Sequence, residues 1–250
     1  MTTDGLPTLE PMVRKLSYWV SLDSDDREAV LALPFTLRTI DRGGYIVREG
    51  EVAAASSIML SGFAVRSKSV GSGARQILSI HMKGDLVDLQ NSLLEIADHS
   101  VEMLTRGRIA EIPRKEIWRI AAERPMVARA MWLDTLIDGS IFREWIANVG
   151  RRDARTRLAH LFCEFALRLK IAGLSTSGRY ELPMTQEQLA DATGLTSVHV
   201  NRTIRALELD GFIERDDPRH IQITDWDRLA EIGDFQSEYL HLHDGDVIIV

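Results

Sequence analysis

Apolar residues change their spacing several times along this chain, and each change marks a new kind of element. Leu9, Met12, Val13, Leu16 and Trp19 recur at helical spacing, and 29–33 continues apolar, so 9–33 is predicted helical, ended by Pro34. From Phe35 to Ile112 the texture is different. Short apolar stretches at 45–48, 57–60, 63–67 and 76–81 are each followed by a turn, at Glu49-Gly50-Glu51, Ser61-Gly62, Gly71-Ser72-Gly73 and Lys83-Gly84-Asp85. Strands at that spacing predict a β roll or barrel, with 100–112 supplying its last strands and Pro113 closing it. A short helix is predicted over 115–123, then a break at Arg124-Pro125.

A long helix follows over 126–149, with one glycine, Gly139, and apolar residues on more than one stripe. A helix packed on a single core needs only one stripe. Two readings stand: burial on two sides by its own domain, or one face on the roll and one on a second copy. We take the second as the expectation, with Leu133, Ile137, Ile141 and Trp145 as the dimerisation face. Ala154–Ile171 reads as another helix, with Leu158, Leu161, Phe162, Phe165 and Leu169 as its core face, and 173–180 as a Gly/Ser/Thr loop.

The most informative stretch is 183–224. Thr185 is a helix cap with Gln188 as its capping-box partner, and Gly194 allows a tight turn. Thr196 caps a second helix, Ser197–Leu209, whose inner face is Val200, Ile204 and Leu207. The helices 186–192 and 197–209 form a helix-turn-helix, and 212–215 with 220–224 read as a β-hairpin wing. A helix that reads DNA carries long donors near its N-terminal end and no carboxylate facing the phosphates. The residues predicted to contact DNA are Thr185, Gln186, Thr196, Ser197, Val198, His199, Asn201, Arg202, Arg205 and Arg219. Arg202 is suited to fork onto guanine, and Val198 to take a thymine methyl.

Charge sharpens this picture. The chain has 250 residues, is 45% hydrophobic and carries a net charge of −7, which disfavours a generally adhesive nucleic-acid binder. The acidity is concentrated at the end, where 233–250 holds four acids and no Lys or Arg. Two short segments are basic: 196–207, with Arg202, Arg205 and His199 and no acid, and 151–157, with four arginines and one aspartate. Both are expected to supply a phosphate-facing surface. One cysteine, Cys163, leaves no internal disulfide, Cys-rich zinc site or cysteine-held iron–sulfur cluster within one chain. No apolar stretch is long enough for a transmembrane helix, and the start lacks a secretory pattern, so a cytoplasmic location is expected.

These features resemble those of the Crp/Fnr superfamily of transcription regulators over nearly the whole length. The strongest piece is 184–213, with Gly194-Leu195-Thr196-Ser197-Val198-His199-Val200-Asn201-Arg202 at the turn and recognition helix. Gly150-Arg151-Arg152-Asp153-Ala154 and Arg157-Leu158-Ala159-His160-Leu161 are similar to the family's hinge and the first helix of its DNA-binding domain. The resemblance implies an α+β fold, with an N-terminal jelly-roll-like β roll, a long dimerisation helix and a C-terminal winged helix-turn-helix. The divisions expected are 1–125, 126–150, 151–232 and an acidic tail at 233–250. It also implies a homodimer on an inverted-repeat operator in double-stranded DNA, with RNA polymerase as a partner. Family members often carry a Glu-x-x-x-Arg pair on the recognition helix. Here the arginine is Arg202, but Val198 holds the acid's place, so a typical family operator is not expected.

Cyclic-nucleotide members hold the ribose with an acid in a Gly-Glu-Leu turn and the phosphate with an arginine about ten residues later. Lys83-Gly84-Asp85-Leu86 resembles the first part, but 84–105 contains no Arg or Lys. A buried phosphate without a charged partner is poorly compensated, so cyclic AMP binding in the family's mode is not expected, and no cofactor is. Asp85, Asp88, Gln90, Asn91 and His99 either line a pocket for an unknown small-molecule effector or solvate a loop. Haem ligation by His81, His99 or Met103, and metal binding by His241-Leu242-His243, are disfavoured because the residues are scattered. Motifs of hydrolases, P-loop enzymes and zinc proteases are missing, so no enzyme is expected. The alternative is a cupin-like metabolite-binding or metalloenzyme roll, which needs more histidines on facing strands than His81 and His99.

Overall fold

The computed structural model describes residues 7–175, 178–217 and 219–243. The helix expected over 9–33 is two helices, α1 (Glu10–Trp19) and α2 (Ser24–Leu31). Val20 is extended, with φ −139° and ψ 133°, and Val20 and Leu22 are buried between the helices. Asp23 then starts a new helix by accepting the Asp26 N–H at 2.8 Å. The mostly polar run 21–28 with its cap Asp23 marks this break, which the reading of 9–33 as one helix passes over.

The strands are β1 (Thr36–Ile40), β2 (Tyr45–Val47), β3 (Ala55–Ser61), β4 (Ala64–Ser69), β5 (Arg75–His81), β6 (Ser100–Met103) and β7 (Gly107–Pro113). They form a three-stranded sheet, β1-β7-β3, and a four-stranded sheet, β2-β6-β4-β5. The pairings of β7 with β1 and β3, and of β6 with β2 and β4, are antiparallel. Met59, Ala64, Val87, Val101, Met103 and Ile109 fill the core of this roll, each fully or almost fully buried. Gly107 is required where β7 passes β3, because a Cβ there would lie 2.2 Å from the Ser61 carbonyl oxygen. A second core joins α1, α2, β3, β7, α3 (Arg114–Glu123) and the start of α4 (Pro125–Arg151) through Leu16, Val30, Ile112, Ile120 and Val127. Proline begins α4 without cost, since the first helical N–H has no intrahelical partner.

Two compact units emerge from the contacts, Met1–Lys68 with Ile80–Asp138 and Ser69–Ser79 with Gly139–Val250. The division falls within α4. The second unit is built on α5 (Ala154–Ile171), whose cap Asp153 accepts the N–H groups of Arg155 and Thr156 at 2.9 Å each. The expected core face of α5 is buried, and so are His160, Cys163 and Glu164 on its other sides. Burial pushes the Cys163 thiol well up, as befits an inert structural cysteine. β8 (Arg179–Glu181), α6 (Gln186–Thr193), α7 (Ser197–Leu209), β9 (Ile213–Glu214), β10 (His220–Ile223) and α8 (Trp226–Ile232) complete it.

The wing is a three-stranded sheet, β8-β10-β9. Its third strand lies inside the stretch expected to be a loop, of which 176–177 lies outside the described residues, as do 218 in the wing and 244–250 in the tail. Tyr180 is the one buried residue of β8, too few for periodicity to reveal it. Its hydroxyl donates to the Phe162 carbonyl at 3.3 Å, and its ring meets Phe165 edge-on.

Candidate nucleic-acid interface

The helix-turn-helix is fixed at each joint by local chemistry. Thr185 and Gln188 form a complete capping box, at 3.2 Å and 2.9 Å. Gly194 follows α6 with φ +64°, a left-handed conformation that a side chain disfavours. Thr196 accepts the His199 N–H at 3.2 Å and starts α7. Val200, Ile204 and Leu207 are buried, which leaves Ser197, Val198, Arg202 and Arg205 on the open face. Val198 is 78% exposed, unusual for a β-branched residue on a helix.

Gln186, Ser197, Val198, Asn201, Arg202, Arg205, Ala206 and Leu209 line one open groove along α7. Sequence reasoning missed Leu209, which is 88% exposed and lengthens the apolar strip of the groove beyond Val198. Of the predicted contact residues, the hydroxyls of Thr185 and Thr196 are committed to helix caps, and His199 and Asn201 are half-buried. Arg219 is exposed in the wing beside Asp217, whose carboxylate accepts the Arg219 backbone N–H at 2.6 Å and contacts His220 at 2.8 Å. Those bonds hold the Asp217 carboxyl below the usual range. With Asp216 paired to Arg179 at 2.7 Å, the wing tip is mixed in charge, whereas the α7 face is positive.

Two acids at the C-terminal end of α7 are neutralised. Glu208 takes a bidentate bond from Arg215 at 2.8 Å and 2.9 Å, and Asp210 pairs with Arg155 at 2.6 Å. Arg202 and Arg205 have no ion pair among the described residues. Of the four arginines of 151–157, expected to form a second phosphate-facing patch, Arg151 is exposed and the other three are engaged within the chain. Arg152 pairs with Glu144 and Asp234, Arg155 with Asp210, and Arg157 donates to the carbonyls of Arg152 and Thr193. Arginines at the junction of two helices meet orphan helix-end carbonyls and nearby acids before they meet solvent.

The candidate effector residues are placed in the roll and its following turn. Asp85 pairs with Lys15 of α1 at 2.7 Å and accepts the Met82 N–H. Asp88 accepts the Ser57 N–H at 2.7 Å, and Gln90 contacts His99 Nε2 at 3.3 Å. His99 Nδ1 lies 2.6 Å from Asp98, and burial holds the ring's pKa below its ordinary value. Asp85, Asp88, Asn91 and His99 are buried, so they do not merely solvate a loop. Arg66 of β4 also reaches this region, donating to the Val87 carbonyl and pairing with Asp138 of α4 at 3.0 Å. It lies outside the 84–105 window, and only strand pairing brings it there. Among the described residues, no group of three or more His, Cys, Asp or Glu side chains is arranged to hold a metal ion.

Burial outweighs the Ser57 bond at Asp88 and pushes its carboxyl up to about 6. Such an acid is indifferent below the unfolded value and costs stability increasingly as pH rises toward its folded value. Asp88→Asn keeps an oxygen for Ser57 and removes the charge. Between about pH 5 and about pH 7.5 the wild type is expected to lose roughly 1–1.5 kcal/mol more stability than the variant. Urea unfolding across this range checks it; parallel curves for the two proteins would contradict it.

The expected dimer face needs correction. Ile137, Ile141 and Trp145 are buried by their own chain, at 9%, 6% and 6% exposure, and Leu133 is partly buried. The Trp145 indole N–H donates to buried Glu164 of α5. Besides Met126 near its start, the large apolar residues that α4 leaves open are Trp132, Leu136 and Ile146, at 70%, 51% and 73%. With Gly139, Arg143 and Gly150 they follow alternating steps of three and four, a heptad seam. Apolar content at more than one stripe did not say which stripe the chain itself covers.

Residues 156–232 match the family model of the Crp-like helix-turn-helix domain, and residues 37–124 that of the cyclic nucleotide-binding domain. The chain is 26% identical to the transcriptional activator protein FnrL of Cereibacter sphaeroides, over 92% of this chain and 95% of that one. It is 26% identical to the nitrogen fixation regulation protein FixK of Azorhizobium caulinodans, over 85% of this chain and 86% of that one. Its fold is similar to the structure of FixK2 from Bradyrhizobium japonicum, with a TM-score of 0.74 and 24% identity, covering 80% of this chain and 98% of that one. With a β roll, a long helix and a winged helix-turn-helix in this order, the chain belongs to the Crp/Fnr superfamily and is a DNA-binding transcriptional regulator.

Proposed function

We propose that the protein acts as a homodimer, paired along the α4 seam, that places two α7 helices in successive major grooves of an inverted-repeat operator. The observation that carries this reading is the α7 face. Arg202 and Arg205 stand on it without ion pairs among the described residues, while Glu208 and Asp210 at its end are neutralised. The open seam of Trp132, Leu136 and Ile146 supports pairing with an equal helix. The protein works in the cytoplasm with RNA polymerase and catalyses no reaction of its own. No helix among the described residues is long and apolar enough to cross a membrane. Selection of bound duplexes from a random pool tests the reading: two inverted half-sites one helical turn apart are expected, and a single unpaired site would contradict it.

The operator is bound without cyclic AMP. The guanidinium that reaches the candidate effector residues, Arg66, already pairs with Asp138 and the Val87 carbonyl, and Asp85 is paired with Lys15. A cyclic phosphate would have to displace the Asp138 carboxylate to gain a charged partner. Calorimetry with cyclic AMP is expected to show no saturable heat, and operator affinity is expected not to change. Stoichiometric binding would show that the phosphate does displace Asp138.

A further inference from the structure

The junction between α4 and α5 is only Arg152 and Asp153, and the chain that follows α8 returns to it. Arg152 is held on one side by Glu144 of α4 at 2.6 Å and on the other by Asp234, whose carboxylate it meets at 2.9 Å and 3.0 Å. A further guanidinium bond, 3.2 Å long, goes to the Asp234 carbonyl. On either side of Asp234 the chain is anchored on α5. The His160 Nδ1–H donates to the Gly233 carbonyl at 3.1 Å, and the Tyr239 hydroxyl donates to the buried Glu164 at 2.8 Å. That carboxylate also takes the indole N–H of Trp145, so a residue after α8 and a residue of α4 share one buried acid. From the junction the bonds continue into the helix-turn-helix. Arg157 donates through Nε to the Arg152 carbonyl and through Nη1 to the Thr193 carbonyl, each at 2.8 Å. Thr193 is the last residue before Gly194, the turn that sets α7 against α6.

We propose that residues 233–243 form a strap that locks the α4–α5 junction, and that Arg157 is a positioning residue that transmits the locked junction to the turn preceding α7. Three observations carry this. A two-residue junction has few bonds of its own. Asp234 closes α8 with a left-handed φ of +46°, and the helix-end bonds of Asp234 N–H to the Glu231 carbonyl and Phe235 N–H to the Ala230 carbonyl fix where its carboxylate meets Arg152. Two arginines of this segment, Arg152 and Arg157, are spent on the junction and the turn rather than facing phosphate. The strap rests on the paired-half-site reading above, because its consequence is the separation of two recognition helices. With the junction locked, the dimer accepts one half-site spacing. With it loosened, each head swings and the dimer tolerates others.

The test uses the full chain and a set of duplexes that carry the selected half-sites with the spacer unchanged or altered by one base pair. One variant combines Asp234→Gly, which suits the left-handed backbone and removes the carboxylate, with Tyr239→Phe. A second is Arg157→Lys, which keeps the charge but not the two-carbonyl fork. The wild type is expected to lose about tenfold in affinity on the altered spacers, and both variants less than about threefold, with base preference within a half-site unchanged. Urea unfolding midpoints monitor the protomer. Variants that discriminate spacers as the wild type does would overturn the strap. So would variants that weaken equally on every spacer, since that is what a merely stabilising contact does. A wild type indifferent to spacer length would instead overturn the paired-half-site reading, and the strap with it.

Discussion

Leu136→Glu is expected to convert the protein from a dimer to a single chain of 28.2 kDa while leaving the protomer folded. Leu136 is 51% exposed on the seam of α4, so its carboxylate costs little in the isolated chain and is desolvated only when a second helix covers it. Trp132 and Ile146 flank it on the same seam, and Gly139 lies between them, where its missing side chain lets two backbones approach. Arg143 in this stripe is turned back, donating to Ser140 at 2.7 Å. Losing the partner makes the second half-site contact intermolecular, which lowers operator affinity by roughly 10²–10⁴-fold. Ile137→Glu is the informative contrast. Ile137 is 9% exposed within its own chain, so that charge damages the protomer and lowers its unfolding midpoint. Sedimentation, duplex binding and urea unfolding on the two variants separate the effects. A Leu136→Glu protein that remains dimeric would place the interface elsewhere.

Arg202→Ala is expected to cost roughly 1–3 kcal/mol on the preferred operator and much less on random duplex. Thr196 caps α7, so Arg202 lies within the second turn of the helix, the part that enters a major groove. It shares the groove with Ser197, Val198 and Asn201. Free of ion pairs among the described residues, its guanidinium enters the groove without first breaking an internal bond. Arg205 is one turn further along and nearer the backbone. Arg205→Ala is therefore expected to weaken operator and random DNA about equally and to lower the salt slope by about one unit. An Arg202→Ala protein with unchanged preference for operator over random DNA would show that another register of α7 reads the bases. Ser197, His199 and Asn201 would then become the leading candidates.

The helix-turn-helix was legible because every joint in it is a local rule. Thr185 with Gln188, Gly194 and Thr196 are caps and turns whose chemistry acts within four residues, and α7 begins and ends where they place it. The roll was legible as alternating strands and glycine turns, but its short β1, like β8 of the wing, was not, having too few buried residues to show a period. The break at 20–23 was also legible locally, since 21–28 is mostly polar and Asp23 caps the helix that follows, although the apolar spacing on either side carried the helical reading across it.

Contacts between distant parts of the chain were a different matter. Charge counts marked 151–157 as basic, but Asp210 and Asp234 lie 55 and 82 residues away from Arg155 and Arg152. A count along the chain does not see which acids the fold returns. In the same way Arg66 reached the Val87 carbonyl from 21 residues away, across a strand pairing that a window over 84–105 excludes. The order of the elements, the caps of the DNA-reading helices and the acid-free α7 face over 196–207 follow from the chain alone. These depend on spacing and on bonds between near neighbours. Tertiary structure alone decided which face of α4 is covered by its own chain, which arginines remain open and where the C-terminal segment is anchored. Each of those depends on which distant side chains arrive to bury an apolar surface or to neutralise a charge.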